Sequence, residues 1–192
     1  MSTDTNWQHY VPKIQAAVDT LNKGGVIAYP TEAVFGLGCD PLNEVALQNI
    51  IDIKGRDAHK GFILIASSQL QLSDFMAPVS AERQQQLNKH WPGPVTYVVP
   101  TAESISGTLL TGFRNTLAVR VSSHPVVVAL CEHYGGAIVS TSANRSGELA
   151  LRTANDVVKE LENSVNSVVD ETVGELASPT KIYDLISGNQ LR

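Results

Sequence analysis

Apolar residues recur along this chain with two periods, and the alternation between them outlines a fold. From Val11 to Lys23, Ile14, Ala17, Val18 and Leu21 fall at helical spacing, and Gly24-Gly25 supply a stop. The unbroken run Val26-Ile27-Ala28-Tyr29 reads as a buried strand ended by Pro30, which has no N–H for a sheet ladder. A helix is predicted over Glu44 to Lys54, with Leu47, Ile50 and Ile51 inward and Gly55 closing it. Phe62 to Ala66 reads as another buried strand, and Ser80 as the N-cap of a polar helix from Ala81 to about His90.

Trp91-Pro92-Gly93-Pro94 breaks that helix, and Val95 to Val99 and Leu117 to Val121 follow as strands. His124-Pro125 opens a helix that reaches Tyr134 and stops at Gly135-Gly136, and Ala137-Ile138-Val139 is a short buried strand. A helix over Thr153 to Glu162 and strands near Val168-Val169 and over Lys181 to Ile186 complete the series. The last of these is expected to pair with Gln190-Leu191-Arg192 through the turn Ser187-Gly188-Asn189. Strands and helices alternate without a change of composition, which predicts one α/β domain over residues 1–192 around a twisted mixed sheet.

At 192 residues and 43% hydrophobic, the chain is large enough for a substantial core. It has no run near the about 18 apolar residues of a membrane span, and Met1–Asn6 lacks the basic start of an export signal; the expectation is a soluble, cytoplasmic protein with no membrane partner. Cys39 and Cys131 match no metal or redox spacing and read as buried free thiols. A formal net charge of −5 argues against a generally basic, nucleic-acid-coating surface. Lys54, Arg56, Lys60, Arg114, Arg120, Arg145, Arg152, Lys181 and Arg192 nevertheless stand beside glycine, serine or strand ends, which suits a concave anion site.

Familiar motifs are missing. No G-x-x-x-x-G-K-[ST] is present, and Gly36-Leu37-Gly38 meets Pro41 where a dinucleotide fingerprint needs its third glycine. His9, His59, His90, His124 and His133 have no metal-ligand spacing, and Ser142 is outside a G-x-S-x-G elbow.

What carries chemistry is a set of polar clusters at the ends of apolar runs. Ser140-Thr141-Ser142-Ala143-Asn144 follows directly on a buried strand, where small side chains admit a ligand close to the backbone; the same composition also suits an ordinary turn. Pro30 to Gly38, with one proline and two glycines, reads as an irregular segment shaped over a pocket or as a plain connection. Lys54-Gly55-Arg56 sets an ammonium beside a guanidinium, which suits a polyphosphate or carboxylate, although helix C-termini also favour cations through the helix dipole. Arg120 interrupts an apolar strand and must reach solvent or an anion, because an unpaired buried guanidinium is very costly.

Taken together, Pro30-Thr31-Glu32, Gly36-Leu37-Gly38, Lys54-x-Arg56, Trp91-Pro92-Gly93-Pro94-Val95-Thr96, Leu117-Ala118-Val119-Arg120 and Ser140 to Asn144 resemble, in order and over nearly the whole chain, the YrdC/TsaC family of bacterial threonylcarbamoyl-AMP synthases. The resemblance implies a YrdC-like fold with a basic concave cavity, without the additional C-terminal domain of longer relatives. It also implies formation of L-threonylcarbamoyladenylate and pyrophosphate from L-threonine, bicarbonate or CO2, and ATP. Downstream tRNA threonylcarbamoyl-transfer proteins would then use the intermediate to modify tRNA beside the anticodon.

Carried onto this sequence, the family pattern makes Lys54 and Arg56 catalytic ligands of the ATP phosphates, joined at the nucleotide by Ser142, Asn144, Thr116 and Arg192. It gives Thr31, Arg120, Ser140 and Ser178 to threonine. Magnesium is expected to travel on the ATP phosphates with no protein metal site, since no acidic cluster offers a cage. Glu32 reads as a base or as a structural hydrogen-bonding residue. The loop Arg56-Asp57-Ala58-His59-Lys60-Gly61 departs from the proline-containing pattern of many members, and Ser178-Pro179-Thr180 only partly matches the family's C-terminal pattern. The alternative reading is an RNA-binding module in tRNA or ribosome maturation using the same cavity; direct tRNA contact is compatible with both readings.

Overall fold

In a computed structural model, residues 7–161 and 163–192 are described. The expectation drawn from Met1–Asn6 and the helix end at Glu162 lie outside the described residues.

Five helices and eight strands follow the chain: α1 (Val11–Asn22), β1 (Ile27–Pro30), β2 (Phe35–Gly38), α2 (Glu44–Lys54), β3 (Ile63–Ala66), α3 (Ala81–Asn88), β4 (Val95–Pro100), β5 (Thr116–Val121), α4 (Pro125–Tyr134), β6 (Ile138–Ser142), α5 (Ala154–Glu160), β7 (Ser167–Val168) and β8 (Lys181–Asp184). The strands form one sheet in the order β7-β1-β2-β6-β3-β5-β4-β8. Pairs β1/β7, β3/β5 and β4/β8 are parallel and the rest antiparallel, so the sheet is mixed, as the alternation of strands and helices predicts.

Period-two alternation divides the apolar residues between two cores. Ala28, Leu64, Val119 and Val139 face a large core with α2, whereas Ile27, Tyr29, Ile65 and Ile138 face a smaller one built with α1 and α4. Helices α1 and α4 pack on each other and on the β1 and β3 side of the sheet. By the same alternation Ile63, Val98, Ala118, Ser140 and Ile182 belong to the face of Ile65 and Ile138, but they line a cavity instead of lying under a helix. The candidate site is therefore the uncovered half of one sheet face.

Three elements differ from the sequence reading. The segment read as irregular, Pro30 to Gly38, is a hairpin in which Pro30 pairs with Phe35 and Ile27 with Gly38. Two glycines and a terminal proline lower strand propensity, but a neighbour on each side supplies the ladder bonds that hold β2. The hydroxyl cluster is not a turn either. Strand β6 runs on through Ser142, with Ser140 opposite Ile63, Thr141 opposite Leu37 and Ser142 opposite Gly36. Third, α3 ends at Asn88 and β8 at Asp184. The final return is as expected: Leu191 N–H donates to the Ile182 carbonyl at 2.7 Å, and Asp184 N–H to Asn189 at 2.9 Å.

Candidate functional site

The cavity has two lobes that share Ile63, Ser140, Thr141 and Arg192. The first, about 490 Å³, has Ile63, Val98, Ala118 and Ile182 among its lining and carries Arg56, Lys60, Arg114 and Arg192 with no carboxylate. The second, about 340 Å³, holds Thr31, Arg120, Ser140, Ser142, Asn144 and Thr180, with Glu148 as its only acidic lining residue.

Local chemistry places the cations. Asn43 caps the start of α2 by accepting from Ala46 N–H, and Gly55 ends the helix in the left-handed region at φ 56°. That reversal separates the two cations of the motif. Arg56 reaches the first lobe, donating from Nη1 to Thr141 Oγ1 at 3.0 Å and from Nη2 to the Gly61 carbonyl, with its guanidinium 5.0 Å from the centre of the Phe62 ring.

Lys54 goes elsewhere. It is 5% exposed and lines neither lobe. Its ammonium donates to the Ser142 carbonyl, and to the Asn144 carbonyl and Asn144 Oδ1 at 2.9 Å each, which occupies all three of its protons. Burial first, then the nearby Arg56 and Lys60, lower its pKa to about 8. Asn144 Oδ1 also accepts from Ser142 Oγ at 2.6 Å, and Asn144 Nδ2 donates to the Glu148 carbonyl at 2.7 Å. The Lys-x-Arg and Ser-x-Asn motifs thus meet as one unit, with Lys54 tying down the strand end and Arg56 lining the cavity.

In the second lobe Arg120 is buried and paired. Nη2 lies 3.1 Å from Glu32 Oε2, and Nη1 donates to Thr180 Oγ1 at 2.7 Å. Thr31 lines this lobe, and its hydroxyl donates to the Val34 carbonyl at 2.8 Å, closing the hairpin turn. Arg192 donates from Nε and Nη2 to the Thr180 carbonyl at 3.3 and 3.1 Å, placing its side chain where the lobes join; burial and then Arg120 disfavour its charge.

Of the residues singled out for a nucleotide, Arg56, Thr116 and Arg192 line the first lobe, Ser142 and Asn144 the second, and Lys54 neither. Thr31, Arg120 and Ser140 come together as expected, but Ser178 does not. It is exposed and outside both lobes, and Thr180, at the other end of the same Ser-Pro-Thr triplet, contacts Arg120 in its place. The order of two hydroxyls around a proline does not show which one faces inward; in the fold Thr180 is buried and Ser178 is exposed. Lys60 and Arg114, read in the sequence among the basic residues that suit a concave anion site but given no role there, are two further lining cations. Arg114 donates to the carbonyls of His59 at 2.8 Å and Lys60 at 3.0 Å, shaping the loop that replaces the family's prolines.

The donor set does not suit a protein-held magnesium ion, which favours carboxylate and water oxygens. Cationic groups and hydroxyls dominate the lobes, and among the described residues no three His, Cys, Asp or Glu side chains cluster as metal ligands. Among those residues, too, no helix is long and apolar enough to cross a membrane. Cys39 and Cys131 are buried and free, and burial pushes both thiols up.

Known proteins share this fold and sequence pattern. The profile of the Sua5/YciO/YrdC family, described as "Telomere recombination", matches residues 19–192. A threonylcarbamoyl-AMP synthase of Idiomarina loihiensis is 46% identical over 172 residues, covering 88% of this chain and 92% of the relative. One from Vibrio vulnificus is 44% identical over 184 residues, covering 95% and 98%. Among solved structures, P. abyssi Sua5 complexed with L-threonine superposes with a TM-score of 0.84 at 30% identity, covering 90% of this chain and 51% of the Sua5 chain, about half its length. E. coli YciO matches with a TM-score of 0.76 at 29% identity, covering 89% and 82%.

Proposed function

The chain belongs to the Sua5/YciO/YrdC family, and from that premise we propose that it makes L-threonylcarbamoyladenylate and pyrophosphate from L-threonine, bicarbonate-derived CO2 and ATP. It is an ATP-using enzyme of the nucleotidyltransferase type. The observation that carries the reading is the pairing of a lobe that holds four cations and no Asp or Glu with a lobe whose own arginine, Arg120, is neutralised by Glu32, Arg192 standing where the two join. A polyanion and a single amino-acid carboxylate require these two different environments.

The nitrogen of threonine's amine bonds to the carbon of CO2 and loses a proton, giving a carbamate. A carbamate oxygen then attacks the α-phosphorus, and the bond from that phosphorus to the bridging oxygen of the β-phosphate breaks, releasing pyrophosphate. No protein nucleophile takes part; positioning and charge neutralisation carry the step. Arg56 is assigned to the phosphates, with Lys60, Arg114 and Arg192 adding positive potential around them. Lys54 holds Ser142 and Asn144 in place at the nucleotide and adds its charge from beneath. Thr116 joins the nucleotide wall, while Thr31, Ser140 and Arg120 surround threonine, with Thr180 in the place expected of Ser178. Any magnesium rides on the phosphates, and no step above depends on it.

The labile product passes in the cytoplasm to downstream proteins that transfer the threonylcarbamoyl group to tRNA. The deciding measurement is pyrophosphate release with ATP, bicarbonate and each amino acid in turn. Release is expected with threonine and not in its absence. A rate unchanged without threonine would overturn this reading, and steeply salt-dependent RNA binding that needs no threonine would replace it with the RNA-binding one.

A further inference from the structure

Glu32 lies in the hairpin turn between β1 and β2, is 7% exposed, and is held from three directions. Its Oε1 accepts from Ser122 Oγ at 2.6 Å, and that same hydroxyl oxygen accepts from His124 N–H at 3.0 Å where α4 begins. Its Oε2 forms the ion pair with Arg120. Its backbone is clamped by the segment after β7: Gly174 N–H donates to the Thr31 carbonyl at 2.9 Å, and Leu176 N–H to the Glu32 carbonyl at 3.1 Å. A side chain at Gly174 would put a Cβ 2.7 Å from the Glu32 carbonyl oxygen, so this approach requires glycine.

With Oε1 accepting from Ser122, Oε2 ion-paired with Arg120, and neither lobe lined by it, Glu32 is poorly placed to act as a base on the substrate. Stability alone does not call for the arrangement either, because the desolvation of a buried ion pair is about offset by its attraction. What the pair gives the lobe is an arginine fixed before ligand arrives. Thr180 holds the guanidinium by a hydrogen bond, and the Glu32 carboxylate, 3.1 Å from Nη2 without hydrogen-bond geometry, holds it electrostatically and cancels its charge.

We infer that Glu32 is a positioning and specificity-determining residue: it aims Arg120 at a single carboxylate and, by neutralising it, keeps phosphate groups out of the threonine lobe. The inference rests on the assignment of that lobe to threonine. A bare arginine binds carboxylate and phosphate alike through the same planar fork. A pre-paired one offers only its remaining N–H groups and little net field, which penalises a multiply charged phosphate more than an amino acid.

The test uses the full chain and steady-state pyrophosphate release. Glu32→Gln keeps the size of the side chain and its hydrogen bond to Ser122 but removes the charge. The threonine KM should rise about tenfold or more, as when the outer partners of metal ligands are lost. The ATP KM should change less than about twofold, within the range of a neutral substitution. Inorganic phosphate should compete only weakly with threonine in the wild type and clearly in this variant. Glu32→Asp, which restores the charge, should recover phosphate rejection, and Ser122→Ala, which frees Glu32 Oε1 from its hydrogen bond, should raise the threonine KM and carries the test should Glu32→Gln fail to fold. Arg120→Lys separates the two levels of the claim. If it leaves the threonine KM unchanged, the assignment of the lobe to threonine fails. If it raises that KM while Glu32→Gln, or Ser122→Ala in its stead, leaves the threonine KM and phosphate competition unmoved, the lobe stands and the role of Glu32 is overturned.

Discussion

The two lobes use arginine in opposite ways. In the first, Arg56, Lys60, Arg114 and Arg192 gather without an Asp or Glu, and the three arginines are held by neutral partners such as Thr141 Oγ1 or backbone carbonyls. In the second, Arg120 is 5% exposed and already faces a carboxylate. Surplus positive charge attracts a polyanion over distance and tolerates movement within the site, whereas a neutralised, rigid guanidinium selects by geometry. The contrast teaches that residue type does not settle a role: four arginines line one continuous cavity, and the partner of each decides what it does.

The sharpest break in this comparison is Arg56→Ala. Removing a preorganised donor from developing transition-state charge typically lowers turnover about 10²- to 10³-fold. Turnover and ATP KM should suffer while the threonine KM holds. Because Arg56 is anchored by neutral groups and a ring face, the melting temperature should move little. Unchanged pyrophosphate release would remove the phosphate assignment from the first lobe.

Lys54→Met asks whether the ammonium beneath the strand end belongs with the cation-rich lobe or with the architecture. Each buried carbonyl left without its donor costs about 1–3 kcal/mol. A lower melting temperature is therefore expected together with a loss of turnover of about 10- to 100-fold, comparable to the loss of an outer partner. This double signature distinguishes it from Arg56→Ala. Full activity in a destabilised Lys54→Met protein would leave Lys54 a purely architectural residue.

The depressed pKa of Lys54 adds a pH signature. Its value of about 8 lies below the ordinary 10.5, so between these limits the unfolded chain binds more protons than the folded one. Its effect on stability is thus favourable above 10.5 and is lost as pH falls through about 8. Bound phosphates favour the ammonium, so ATP binding above pH 8 takes up a proton. The apparent ATP affinity should fall by at most about tenfold per pH unit there. Titrating the ATP KM in wild type and Lys54→Met checks this, since the variant should lose that part of the slope.

Much of this contrast was open to a reading of the sequence, but its decisive parts were not. Local patterns located α1, α2 and α4, because their apolar spacing and glycine stops are written within a few residues. They did not reveal β2, whose glycines weaken the strand signal, nor that β6 continues through Ser142, because hydroxyls suit both turns and strands. The cavity itself leaves no periodic trace; it exists because α1 and α4 cover only part of one face. Likewise Lys54 and Arg56 sit two residues apart in a recognisable motif whose glycine marks the reversal between them, yet what each cation meets depends on the approach of the end of α2 to the end of β6, a tertiary relation.

The smallest expected effect addresses the same limit at one proline. Ser178 and Thr180 flank Pro179, and sequence order does not separate them, but only Thr180 holds the Arg120 fork. In Thr180→Val the shape is kept and the acceptor is lost, leaving Arg120 anchored by Glu32 alone. A hydrogen bond of net worth near about 1 kcal/mol corresponds to a rise of about fivefold in threonine KM. Ser178→Ala, at an exposed position outside both lobes, should stay within about 0.5 kcal/mol, or about twofold. The reverse ranking would mean that the segment around Pro179 shifts when threonine binds, bringing Ser178 inward and releasing Thr180. In that event the fixed geometry of the second lobe would arise on binding and would no longer stand in contrast to the adaptable first.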